Sequence, residues 1–264
     1  MYPFEYHRPD SVAEALDLYR EADDAWWLAG GMTLLPAMKL RLSAPGALID
    51  LAALDGLREI EIHDDSVEIG AMTLHDTVSR SDLLRRRIPA LSRLAGGIGD
   101  SQVRNRGTIG GSVSNSDPAA DYPAGVLGLG ATLKTTKRTI AADDFFVGMF
   151  ETRLEPGELL LSVRFPIPKC ACYMKFRNPA SRYAIVGVMV ASFDAGARVA
   201  VTGAGSFAFR VPEMEKVLDA DFDSRALADI RVPIQDLNDD IHASAEYRSH
   251  LVTVMAQRAV DAVI

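Results

Sequence analysis

The 264-residue chain is 48% hydrophobic and 24% charged, the balance of a globular protein with room for one sizeable core or two modest ones. Its net charge of −8 argues against nucleic acid as a partner, and it has no apolar run of about eighteen residues that would cross a membrane as a helix.

The opening "MYPFEYHRPDS" has no basic flank and no apolar stretch, so no secretory signal is expected. Ser11 to Glu21 reads as a helix: Ser11 and Glu14 fit a capping box, and Val12, Ala15, Leu16 and Tyr19 share one face. "AWWL" (Ala25 to Leu28) reads as a short buried strand. A Gly-Gly turn, a short helix in "MTLLPAMKLRL" and a strand at "ALIDL" follow, which makes a βαβ-like unit. "REIEIHDDSVEIGA" alternates polar and apolar residues around two aspartates and predicts a hairpin. "TLHDTVSR" and "SDLLRRRIPALSRLA" predict helices capped by Thr73 and Ser81. Beyond a glycine-rich region, "ATLKT", "RTIAA" and "LLLSVRFP" predict strands.

Two prolines in "FPIPK" (Phe165 to Lys169) stop regular pairing and predict a boundary. One domain is expected over residues 1–168 and a smaller α+β domain over 169–264. The second holds predicted strands at "CYMKF", "AIVGVMVASF" and "RVAVTGAG". Its helices fall near Pro212 to Leu218, Ser224 to Ala228 and Ser244 to Val263, the last with an apolar stripe of Leu251, Val254, Met255 and Ala262. Cys170 and Cys172 stand one residue apart, awkward for a disulfide and too few for a zinc or iron–sulfur site. They read as ordinary thiols of a cytoplasmic protein.

"AGGMTLL" (Ala29 to Leu35) turns from strand to helix through Gly30 and Gly31. Glycine lets backbone N–H groups face a ligand, a helix start adds partial positive charge, and Thr33 adds a hydroxyl. Together these suit a phosphate or pyrophosphate, while a tight turn without ligand is the plainer reading. The pattern is neither a Walker A loop nor G-x-G-x-x-G. "TIGGSVSNSDPAAD" carries Gly110 and Gly111 among Thr108, Ser112, Ser114, Asn115 and Ser116, with Asp117 and Asp121 as acceptors for ribose or ribityl hydroxyls. It reads as an irregular loop around a long, polar, phosphorylated ligand, or else as an Asx-rich surface loop. Arg104 or Arg106 in "VRNR" either counters phosphate charge or holds the loop. Arg85 to Arg87 are expected to solvate a helix face rather than dock an acidic partner. His7, His63, His75, His242 and His250 show no metal-binding spacing and are expected in structural or surface roles.

In that order and spacing, "LAGGMTLLPAMKLRL", "IGDSQVRNRGTIGGSVSNSDPAADYPA" and "YMKFRNPASRYAIVGV" resemble the FAD-binding medium subunit of molybdenum hydroxylases. That group includes the flavoprotein subunit of aerobic carbon monoxide dehydrogenase and the flavin domain of xanthine dehydrogenase. The resemblance covers nearly the whole chain. It implies an α+β fold: a two-lobed FAD-binding domain of the vanillyl-alcohol oxidase type, with lobes of about 1–55 and 56–168, then a small C-terminal domain of antiparallel sheet and helices. Carried over by position, it implies that Ala29, Gly30, Gly31, Met32, Thr33, Leu34 and Leu35 line the pyrophosphate. Thr108, Ile109, Gly110, Gly111 and Ser112 would form a second clamp. Asp121 would meet the flavin's polar tail, Leu160 would pack near the nucleotide, and Lys175 would neighbour the flavin. Ile98 matches a position near the nucleotide. The chain departs from the family at Met32, often polar there, and at Arg182, where the family often has Asp before the tyrosine matched by Tyr183.

The resemblance also implies an oxidoreductase subunit. FAD would be bound non-covalently, since no histidine lies in the glycine motifs. The molybdenum cofactor and iron–sulfur clusters would sit on partners only, a large molybdenum-binding subunit and a small iron–sulfur subunit, assembled as a dimer of heterotrimers. Electrons would pass from the clusters through FAD to NAD, a quinone or another acceptor, and no side chain is nominated as a catalytic acid or base. Two other readings stand beside it. One is a flavin-free binding or assembly protein that keeps the fold, suggested by Met32 and Arg182. The other is a stand-alone FAD oxidoreductase, which needs a substrate pocket in the C-terminal domain.

Overall fold

The computed structural model describes residues 1–263. Its first sheet is built from β1 (Glu5–His7), β2 (Ala25–Leu28) and β3 (Ala47–Asp50), with β3 in the middle and both neighbours parallel to it. Parallel neighbours need crossovers. Here these contain α1 (Val12–Glu21) and α2 (Leu34–Lys39). Ser11 Oγ accepts the Glu14 N–H as predicted, and the Glu14 carboxylate accepts the Asp10 N–H. Ala47, Leu48 and Ile49 are buried, as a central parallel strand requires. In β2 the expected full burial fails at Trp26, which is 42% exposed. α2 spans only six residues, shorter than its sequence suggests.

The second sheet is antiparallel. β4 (Ile60–Ile62), β5 (Ser66–Gly70), β6 (Thr132–Thr135), β7 (Thr139–Ala141) and β10 (Leu160–Pro166) run in the order β4-β5-β10-β6-β7, while β8 (Phe146–Gly148) and β9 (Glu151–Thr152) form a separate ribbon. Between β5 and β6 lie α3 (His75–Arg80), α4 (Asp82–Arg87), α5 (Pro89–Gly96), α6 (Ser101–Arg104), α7 (Ile109–Asn115) and α8 (Tyr122–Gly128). The short α9 (Ala142–Phe145) follows β7. The single helix expected over Ser81 to Ala95 is two helices, because Ile88 leaves the helical region ahead of Pro89. Ser81 caps α4 through the Leu84 N–H, but the expected cap at Thr73 fails: its hydroxyl is buried without a partner and Leu74 holds the N-cap position.

The irregular loop expected from Thr108 to Asp121 is also corrected. Its first half is α7, helical in spite of two glycines. A Cβ at Gly110 would lie 2.6 Å from the Ala71 carbonyl oxygen, so the helix reaches this close to the end of β5 only with glycine there. Packing overrides a poor local propensity.

β11 (Cys170–Arg177), β12 (Ala184–Phe193), β13 (Gly196–Thr202) and β14 (Phe209–Arg210) form the third sheet, antiparallel and in sequence order. α10 (Pro212–Ala220) and α11 (Ala245–Asp261) complete this part. Alternation along β12 serves two cores. Val186, Val188 and Val190 pack with Val252, Met255 and Ala256 of α11. Met189 and Ala191 point the other way, into the core that holds α5 and α8, and Gly128 leaves room for Met189. Of the stripe predicted on the last helix, Leu251 and Met255 are buried, Val254 is half-buried, and Ala262 lies exposed beyond the helix end. Among the described residues no helix is long and apolar enough to cross a membrane.

Candidate functional site

A cavity of about 750 Å³ opens between the turn after β2 and the start of α7. Ala71 and Met72, just past β5, and Leu159 and Leu160, at β10, contribute apolar wall. Most of the sequence-predicted residues meet here. Ala29, Gly30, Gly31, Met32, Thr33 and Leu34 line one side, and Thr108, Gly110, Gly111 and Ser112 the other. Asp121, Leu160 and Ile98 also border it.

Three predicted residues do not. Leu35 packs with Leu28, Met38 and Leu48 under the turn. Ile109 is fully buried in the core, and its N–H donates to the Thr73 carbonyl at 3.0 Å. Lys175 stands behind the cavity wall. Its ammonium donates to Asp121 at 2.9 Å, to the Gly97 carbonyl at 3.0 Å and to the Arg182 carbonyl at 3.1 Å, which uses all three N–H bonds. Lys175 therefore holds Asp121 and is not among the residues that line the cavity. Burial pushes the Asp121 carboxyl up, while Lys175 and the Tyr173 hydroxyl pull it down.

The glycines do something other than leave empty space for a ligand. A Cβ at Gly30 would overlap the Arg106 carbonyl, and one at Gly110 would strike Ala71. These residues let two backbone segments touch, and the touching segments shape the cavity. Their polar groups then differ. Along the first turn, the N–H groups of Gly30, Gly31, Met32, Thr33 and Leu34 find no acceptor among the described residues. At the start of α7 the N–H groups are consumed: Ile109 by Thr73, Gly110 by Ala71, and Gly111 and Ser112 by the Thr108 hydroxyl and carbonyl. α7 offers side chains instead. Ser112, Ser114 and Asn115 line the cavity, and their side chains make no hydrogen bond to the described residues.

No Lys or Arg among the described residues lines this cavity. Arg104 holds the Ile98 and Gly99 carbonyls, which decides its role as a loop clamp, and Arg106 is exposed away from the lining. Arg85, Arg86 and Arg87 are all exposed, on the solvated face expected for them. Asp117 faces the cavity, its carboxyl pushed up by burial and drawn down in part by the Ala119 N–H. Glu158 also borders it, tied to Arg138 and Thr135.

His75, expected in a structural or surface role, lines the cavity. It is 4% exposed, and burial together with Arg104 pushes its pKa down to about 4. A histidine isolated in sequence carries no signal of this placement. Its counterpart signal is Gly107, where a Cβ would lie 2.6 Å from His75 Nε2. Tyr183 also lines the cavity, after Arg182 turns the chain with φ +65°.

Comparison with known proteins gives a consistent set of likenesses. The family model described as the FAD binding domain in molybdopterin dehydrogenase matches residues 2–168. The nicotine 6-hydroxylase medium subunit of Paenarthrobacter nicotinovorans is 35% identical, over 97% of this chain and 95% of that protein. The carbon monoxide dehydrogenase medium chain of Afipia carboxidovorans is 34% identical, over 98% and 96%. Among solved structures, a chain of the cyanide-inactivated Cu,Mo-CO dehydrogenase superposes with a TM-score of 0.90 at 34% identity, covering 99% of this chain and 98% of that one. A chain of quinoline 2-oxidoreductase from Pseudomonas putida 86 gives 0.89 at 28% identity, covering 99% and 97%.

Proposed function

The chain belongs to the family of FAD-binding subunits of molybdopterin dehydrogenases, and from that premise we propose that it stands between iron–sulfur clusters on a partner subunit and a final electron acceptor, whether NAD, a quinone or another. It is an FAD-binding oxidoreductase subunit of the molybdenum hydroxylase type. The observation that carries the reading is the row of unpaired N–H groups from Gly30 to Leu34. They edge a cavity with no Lys or Arg among its described lining residues, and its volume lies in the range of about 300–1,000 Å³ usual for small-molecule sites.

These residues fit FAD. Backbone N–H groups next to a helix start suit a diphosphate. Ser112, Ser114, Asn115 and Asp117 suit sugar and ribityl hydroxyls, and Ile98, Leu160 and Met72 supply apolar wall for a ring. We assign Ala29 to Leu34 to the diphosphate side, Thr108, Gly110, Gly111 and Ser112 to the opposite side, and Asp121 to the wall that Lys175 stiffens. FAD when bound supplies the redox chemistry. The chain's own residues bind it, orient it and shelter it from water. Leu35, Ile109 and Lys175 act from behind the lining.

We place the molybdenum cofactor and the iron–sulfur clusters on separate large and small subunits, assembled as a dimer of heterotrimers. The chain matches medium subunits and chains along almost their whole length, which supports a place in a multi-subunit enzyme. We draw the domain boundary at Pro168: the first two sheets use only residues before it, and the third only residues after it.

An absorption spectrum of the purified chain, before and after acid precipitation, tests the reading. Bands near about 375 and 450 nm that pass into the supernatant as FAD are expected of a non-covalent flavoprotein. A chain that stays colourless with added FAD, alone and in its complex, overturns it.

A further inference from the structure

His75 opens α3 at the cavity wall, with its N–H donating to the Gly107 carbonyl at 3.0 Å. Its ring lies tilted against Tyr122, with centroids 5.3 Å apart. The two ring nitrogens differ. Nδ1 is sealed in the interior and meets neither donor nor acceptor. Nε2 stands beside Gly107, another residue of the cavity lining, is not among the sealed atoms, and has no hydrogen-bond partner among the described residues.

A neutral imidazole carries one N–H and one lone pair. A buried N–H without an acceptor costs about 1–3 kcal/mol, and an idle acceptor is better tolerated. The proton therefore belongs on Nε2, where the cavity can provide an acceptor. Burial keeps the ring neutral. With no Lys or Arg among the described lining residues, neutral donors such as this N–H and the backbone N–H row from Gly30 to Leu34 are what the lining offers an anionic oxygen.

We propose that His75 is a ligand-binding residue of this cavity, a neutral imidazole protonated on Nε2 that donates to an oxygen of the bound dinucleotide. The oxygen belongs to a phosphate or to a sugar hydroxyl. The inference rests on the FAD reading of the cavity.

The test uses the full chain stripped of flavin and labelled with ¹⁵N-histidine. Long-range ¹H–¹⁵N correlation is expected to show His75 as the Nε2–H tautomer, with a resonance that moves when FAD is added. Movement with ADP as well assigns an oxygen of the ADP half, phosphate or ribose, and movement with FAD alone assigns an oxygen of the riboflavin half. By calorimetric titration, His75→Phe is expected to weaken FAD binding roughly tenfold, the worth of one hydrogen bond, and His75→Gln by less than about threefold. Melting each flavin-free variant separates lost binding from lost folding. An Nδ1–H tautomer, a resonance unmoved by FAD, or a folded His75→Phe that binds FAD as well as the wild type overturns the inference. If the wild type binds no FAD, the reading of the cavity falls and this inference falls with it. If the wild type binds and the variants match it, only this inference falls.

Discussion

Lys175 and Asp121 form an ion pair whose side chains are only 5% and 6% exposed, with Nζ and Oδ2 2.9 Å apart. The same ammonium reaches the Gly97 and Arg182 carbonyls, so it ties the end of α5, the segment before α8 and the turn between β11 and β12 at one point. Lys175→Met would leave a buried carboxylate with only the Tyr173 hydroxyl as a side-chain partner. Loss of one member of a buried pair costs about 3–5 kcal/mol. Urea denaturation of the flavin-free chain should show a loss of that size, and the double variant Lys175→Met/Asp121→Asn should recover part of it. A single-variant loss below about 1 kcal/mol would mean that this point does not carry the fold.

Gly30 and Gly56 offer a paired test of how the turn is built. A Cβ at Gly30 runs into the Arg106 backbone, whereas one at Gly56 meets open space and only the strain of φ +74°. Gly56→Ala should cost about 1 kcal/mol and leave FAD affinity unchanged. Gly30→Ala should cost more, about 3 kcal/mol, and weaken FAD at least tenfold, because it pushes the unpaired N–H row away from α7. Denaturation curves and FAD titrations on both variants decide the point. Equal effects on affinity would show that the contact between the two segments does not shape the site.

The parts of this fold that follow from local pattern were legible in the sequence. The hairpin around Asp64 and Asp65, the cap at Ser11 and the long strand Ala184–Phe193 each follow from residues close together in the chain. β1 leaves no such signal, because three residues with an exposed Tyr6 give no alternation to read. α7 reads as a loop in sequence because its glycines answer to Ala71 and to the neighbouring turn, neither of which is adjacent in sequence. The site shows the same division. The glycine turn marked the cavity, but His75 and the true place of Lys175 depend on contacts across dozens of residues.

Met32 stands where the resemblance implies a residue that is often polar, and its replacement tests whether that side chain matters. The residue is 38% exposed, and its backbone N–H, which any non-proline residue supplies, has no acceptor among the described residues. Met32→Ser should leave FAD affinity within about threefold, less than one hydrogen bond's worth. A tenfold change in either direction, read by calorimetry, would show that the side chain itself contacts the cofactor.

His75 should also leave a signature in the pH dependence of stability. Its pKa is about 4 in the folded chain against an ordinary 6.5, so between those values the unfolded chain binds more protons. The contribution of the buried neutral ring is complete above about pH 6.5 and is lost as pH falls toward 4. The slope cannot exceed about 1.4 kcal/mol per pH unit, which sums to about 3 kcal/mol across the window. Many carboxylates titrate at the lower end, so the useful quantity is the difference between wild type and His75→Gln, in which they cancel. Flavin-free wild type should lose stability relative to the variant as pH drops from 7 toward 4, followed by urea denaturation at each pH. A flat difference would mean that the imidazole takes up its proton in the folded chain as readily as in the unfolded one. That would contradict a sealed Nδ1 and a ring held neutral by burial.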